Sequence, residues 1–233
     1  MNQYINSMSA QAVAEENQRF ITRVYGWMAL ALTLTGMTAM RVASSQAMIS
    51  FLASNMLLFW GLVIGELLLV GYLAAAVGRM TANTALAVFL GYSVLNGVTL
   101  SFLFLAYTSE SISSTFLLTA LTFGVMSFYG YVTKTDLTKI GNLAFMGLIG
   151  IIIASLFNIF FRSPAIYWIT TYIGILVFVG LTAYDTQKIK SMNIIGNEGT
   201  EEDRKEAIIG ALTLYLDFIN LFILLLRLFG NRR

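Results

Sequence analysis

Three carboxylates in this chain lie where water is scarce. Glu66, Asp185 and Asp217 each fall within or at the edge of a long apolar run. An ionisable group at the centre of a membrane helix costs roughly 2.5 to 3.5 kcal/mol on insertion scales, so each is a functional candidate by default. Asp217 is ten residues into the run 207–226, roughly 15 Å deep at the rise of an α-helix. At 100° per residue, Gly210, Thr213, Asp217, Asn220 and Arg227 share about one 100° arc of that helix, and Leu, Ile and Phe fill the rest. Such a stripe must face protein or water rather than lipid. It lines either a pathway or a hydrogen-bond network that locks helices together.

Asp185 has two readings: a residue at the membrane surface screened by Lys188, or a partner of Asp217. As partners in a low dielectric, the two carboxylates cannot both ionise cheaply and would share one proton. A chain without histidine would then still respond to pH in the physiological range. Arg79 is either a counter-ion that latches the pair or a positive anchor at the membrane surface. Glu66 is either a cation site on the same path or a carboxyl bonded to a neighbouring helix. Asn96 and Asn158 are read as interhelical ties rather than ligands.

The elements that position these groups follow from composition. Of 233 residues, 58% are apolar and 11% charged, against roughly a quarter charged in a soluble domain. Lipid is therefore the solvent for much of the chain. With no Cys and no His, disulfides, thiolate nucleophiles, zinc and haem sites and histidine-based triads are excluded. No resident cofactor and no enzymatic activity is expected. A net charge of +2, scattered along the chain, argues against nucleic acid as a partner.

Spans of about 20 apolar residues are expected near 22–41, 51–77, 83–107, 113–132, 142–161, 166–187 and 207–229. The expected fold class is all-α: a polytopic membrane protein of seven transmembrane helices, with the striped seventh central. Residues 1–20 form a polar N-terminal segment without a signal-peptide core, 21–230 the membrane domain, and 231–233 a basic tail. Gly61 and Gly65 have the spacing of close helix packing. The stretch 191–206 is the one segment of soluble character. With the N-terminus cytoplasmic, nine Lys and Arg fall on the inner side against five outside, counting Arg227, Arg232 and Arg233. That terminal cluster would lie inside only if one span were a re-entrant hairpin.

Two segments, GLTAYDTQKI at 180–189 and GALTLYLDFINLF at 210–222 continuing to LRLFG at 226–230, resemble the Bax inhibitor-1 family, in its bacterial branch. YGW at 25–27, NGVTLS at 96–101 and FN at 157–158 support the resemblance, which covers roughly 20–230. It implies a bacterial inner-membrane protein whose seventh helix is wrapped by the other six, and a pH-sensitive calcium leak. It implies that Asp185 and Asp217 are the pH-sensing pair, latched by an arginine at the end of the second span. Here that position holds the lone Arg79, where the family carries a more basic cluster.

The leading expectation is a calcium or other cation leak gated by the aspartate pair. Asp185 and Asp217 are the candidate calcium-binding oxygens, and Glu66, Thr213, Asn220 and Arg227 candidate pathway residues. Alternatives are a proton-coupled exchanger and an interaction protein acting on a protease or a stress or cell-death pathway, through its helices or the 191–206 loop. An intramembrane aspartyl protease is a weaker fit. The Gly-x-Gly-Asp half of its signature is replaced by Leu214, Tyr215 and Leu216 before Asp217. Apart from the bilayer and the cation, no partner is identified.

Overall fold

A computed structural model describes residues 10–233. Residues 1–9 of the expected polar segment lie outside the described residues, and 10–20 form the first turns of a helix. The described helices are α1 (Ala10–Ala43), α2 (Gln46–Ser54), α3 (Met56–Ala76), α4 (Ala82–Leu100), α5 (Leu103–Ala106), α6 (Ser109–Val132), α7 (Thr138–Phe161), α8 (Pro164–Met192) and α9 (Glu201–Phe229), with a 3-10 turn at Val77–Arg79. The chain is an all-α, polytopic membrane protein.

Six stretches among the described residues, not seven, are long and apolar enough to cross a bilayer: Met56–Arg79, Ala82–Ala106, Ser109–Val132, Thr138–Phe161, Pro164–Met192 and Glu201–Phe229. The remaining expected span, 22–41, lies within the 34-residue α1. Its Thr33, Thr35, Thr38, Tyr25, Trp27 and Arg41 dilute its apolar character.

The expected single helix over 51–77 is instead α2 followed by α3, broken at Asn55, whose backbone leaves the helical region (φ −112°, ψ 74°). The Asn55 side-chain amide donates to the Phe51 carbonyl at 2.7 Å. In an unbroken helix that carbonyl would accept from the Asn55 backbone N–H, so the side chain competes directly with helix continuation. Thr81 and Thr108 cap α4 and α6 by accepting from the N–H of Thr84 and Ser111. Pro164 opens α8, where its missing N–H is not needed.

The chain divides into two compact units. One comprises the residues up to Ala106 with Lys190–Tyr215 and Arg233; the other comprises Tyr107–Ile189 with Leu216–Arg232. In the first, α1 lies along α4 at close range. A Cβ at Gly97 would sit 2.6 Å from the Thr35 carbonyl oxygen and 2.7 Å from Thr38 Cβ. Val42, Ile49 and Leu52 form a small core there, backed by Leu62, Val98 and Phe102.

In the second unit, Ala144 of α7, Val177, Phe178 and Leu181 of α8, and Leu221, Leu224 and Leu225 of α9 form the core. Glycines on two helices let the end of α8 be approached closely. A Cβ at Gly130 would collide with the Ala183 carbonyl, and one at Gly141 with the Tyr184 ring. The Gly61 and Gly65 spacing marks no such contact, since a Cβ at either position meets nothing within 4 Å among the described residues.

The helices differ sharply in burial. In the apolar stretch of α9, 72% of residues are buried, against 6% in α7. The Leu and Ile of α9 are therefore core residues, whereas those of α7 form an outward apolar surface suited to lipid.

Candidate functional site

The second unit brings Asp185 and Asp217 together. Asp217, on α9, is 5% exposed, and Asp185, on α8, is half-buried. Their carboxyl groups interact side chain to side chain. Asp217 Oδ2 is buried and receives no hydrogen bond among the described residues. Around Asp185 the end of α8 is held firmly. The Thr186 hydroxyl donates to the Thr182 carbonyl at 2.8 Å and reaches Ser127 Oγ of α6 at 3.3 Å. Gln187 accepts from the Leu137 N–H and donates to the Thr135 carbonyl, each at 2.9 Å. Together with the approaches at Gly130 and Gly141, these contacts fix α8 within two residues either side of Asp185.

The other stripe residues divide. Thr213 and Asn220 satisfy themselves on their own helix, donating to the Ile209 and Leu216 carbonyls at 3.0 and 2.8 Å. Asn220 and Arg227 also line a largely apolar cavity of about 560 Å³ with Asn158, Tyr167 and Leu148; neither aspartate lines it. The Arg227 guanidinium lies 5.5 Å from the centre of the Tyr167 ring, within cation–π range.

Glu66 belongs to the first unit and is tied to a neighbouring helix. Its Oε1 accepts from the Thr99 hydroxyl at 3.0 Å and its Oε2 from the Asn96 amide at 3.3 Å. Asn96 in turn accepts from the Tyr215 hydroxyl at 3.1 Å, and Tyr215 bonds Thr35 of α1 at 2.7 Å. This buried chain joins α1, α3, α4 and α9 within one unit. Asn158 acts locally, accepting from the Ser163 N–H at 2.7 Å. Arg79 is exposed in the 3-10 turn. Among the described residues it makes no ion pair.

An ion-pair cluster in the first unit escaped sequence reasoning. Arg23 of α1 donates to both oxygens of Asp203, at 2.6 and 3.2 Å, and Asp203 is fully buried. The Gly199 N–H adds a bond to Asp203 at 2.7 Å. Arg19 grips Glu198 through two bonds of 2.9 Å, and these hold the Glu198 carboxyl below its ordinary range. Buried Glu16 accepts from the Gly196 N–H at 2.7 Å. The 191–206 stretch is thus docked on α1 rather than presented as a free loop. A sequence signal existed in the paired acids and bases of the two segments, but they are separated by about 180 residues and read only as topology markers.

Among the described residues, no three acidic, His or Cys side chains gather to hold a metal. The aspartate pair carries carboxylate oxygens of the kind hard cations prefer but does not form a closed cage.

Comparison with known proteins agrees with the motifs. The family described as "Inhibitor of apoptosis-promoting Bax1" matches residues 17–233. The chain is 52% identical over 217 residues to "Inner membrane protein YbhL" of Escherichia coli strain K12, covering 93% of each chain. It is 46% identical over 221 residues to "Uncharacterized protein RP147" of Rickettsia prowazekii, covering 93% and 91%. With a protein of Borreliella burgdorferi it shares 44% identity over 215 residues, covering 92% and 93%. The chain belongs to the bacterial branch of the Bax inhibitor-1 family and is a multi-pass protein of the inner membrane.

Proposed function

We propose that this protein is a cation leak, with calcium as its substrate, governed by one proton shared between Asp185 and Asp217. The observation that carries this reading is the contact between the two carboxyl groups, one of them with an oxygen that no donor reaches. A single proton held between the two carboxyls turns that contact into a hydrogen bond. Without that proton, two like charges touch in a poorly solvated place, and the pair must part or admit a cation. Two carboxylates are few against the six to eight oxygens calcium prefers, which suits passage rather than retention.

The topology that goes with this reading has seven crossings, α1 being the first, with the other helices around α9. The length of α1 and the burial of α9 support it. So does the tie between the ends of the second unit, where the Thr108 N–H donates to the Asn231 carbonyl at 3.1 Å. With the N-terminus cytoplasmic, residue 108 follows the third crossing, and the C-terminus then lies outside with it.

The test is calcium flux into proteoliposomes across about pH 6 to 8, comparing the wild type with Asp185→Asn and Asp217→Asn. Loss of the pH response in both variants is expected. An unchanged flux and pH response in both would refute the sensor.

A further inference from the structure

At one end of the second unit, three arginines surround a second cavity of about 640 Å³: Arg162 at the α7–α8 turn, Arg227 on α9 and Arg232 beyond it. Among the described residues none of the three has a carboxylate partner. They are nonetheless held close together. Arg232 donates to the Tyr167 hydroxyl at 2.9 Å, while Arg227 lies 5.5 Å from the same ring. Arg162 occupies the left-handed region (φ 48°), at the turn that carries its side chain into the cavity wall. Converging guanidinium groups without acids repel one another unless an anion sits among them, and their planar forks suit phosphate oxygens.

The basic cavity shares Asn158, Tyr167 and Arg227 with the apolar cavity of about 560 Å³. That cavity continues along Ile151, Leu156, Ile159 and Leu224. Trp168 and Tyr172 stand near the basic end, stacked at 6.0 Å, as side chains do at a membrane interface. A charged chamber opening into a greasy one at that depth fits a molecule with a phosphate head and a hydrocarbon tail.

We infer that this double cavity binds an anionic phospholipid, its phosphate among Arg162, Arg227 and Arg232 and one acyl chain in the apolar chamber. A free phosphate shares the head-group chemistry but would leave the apolar chamber unused.

The experiment titrates the full chain in detergent with phosphatidylglycerol, phosphatidylcholine or inorganic phosphate, reading bound ligand by native mass spectrometry. Both altered arginines are exposed, so Arg162→Gln/Arg232→Gln should fold. It is expected to weaken phosphatidylglycerol binding about thirtyfold and leave phosphatidylcholine unchanged. Ser155→Trp, at an exposed position on the wall of the apolar chamber, is expected to weaken phosphatidylglycerol without affecting inorganic phosphate. Equal binding of the two lipids, or no effect of the arginine changes, would overturn the site. Phosphatidylglycerol binding insensitive to Ser155→Trp and matched by inorganic phosphate would overturn the lipid assignment.

Discussion

Glu66 and Asp217 are both buried carboxylates on apolar helices, and their surroundings treat them in opposite ways. Each oxygen of Glu66 accepts a hydrogen bond, from Thr99 and from Asn96. Two further acids of the first unit are likewise met, Asp203 by Arg23 and the Gly199 N–H and Glu16 by the Gly196 N–H, while half-buried Glu206 keeps one oxygen without a partner among the described residues. In the second unit Asp217 has Asp185 for a neighbour and an oxygen without a donor. A satisfied buried acid fixes helices in one arrangement. A buried acid that meets another acid depends on a proton that bulk pH can remove. The Glu66 site thus has the chemistry of a frame, and the aspartate pair that of a switch.

The contrast can be broken most forcefully at Arg23. Arg23→Ala would leave Asp203 fully buried with only one N–H bond, close to the condition of Asp217. Stranding such a charge costs about 3 kcal/mol, toward the lower end because Arg23 itself is 32% exposed. Thermal unfolding in detergent should show the loss, and an unchanged melting temperature would mean that the pair does not frame the unit.

Next comes Gly130→Ala. Its new methyl would strike the Ala183 carbonyl and push α8 away beside Asp185, an overpacking cost of about 2 kcal/mol. The same change at Gly124, where nothing lies within 4 Å, should be neutral or slightly stabilising. Equal stability and equal pH response in the two variants would show that the close approach does not position the pair.

Tyr215→Phe removes the hydroxyl that joins Thr35 to Asn96. Interhelical bonds in membranes average below 1 kcal/mol, so a loss of about 1 kcal/mol is expected. The pH response of flux should survive. Its disappearance would place the sensor in the wrong unit.

The smallest effect is at Glu198. Arg19 holds its carboxyl below the ordinary range. A depressed carboxylate contributes stability that is present above the unfolded value, about 4.3, and is lost as pH falls through the folded value. Hydrogen exchange across 193–200 should therefore quicken only on acidification below about pH 4. Glu198→Gln should already exchange faster at neutral pH and lose that acid dependence. The pair is exposed, so the effect should shrink with salt.

Much of this was legible in composition and pattern. Charge-free runs of 20 residues or more mark their helices because hydrocarbon admits little else, and acids inside them stand out. The contact of Asp185 with Asp217 follows the adjacency of two helices joined by one loop. Two features were beyond reading. Asn55 breaks a helix through one side-chain bond, a local competition that apolar periodicity does not register. Arg23 and Asp203 meet across 180 residues, a tertiary pairing with no spacing rule.

The central claim is that two carboxyl groups hold one proton, and infrared difference spectroscopy of the reconstituted protein counts it directly. In a Glu66→Gln background, neutral pH should give one protonated-carboxyl C=O band from the pair. Either Asp185→Asn or Asp217→Asn should remove or shift it, and raising the pH should bleach it once. A band untouched by both substitutions, or no such band at all, would contradict the shared proton.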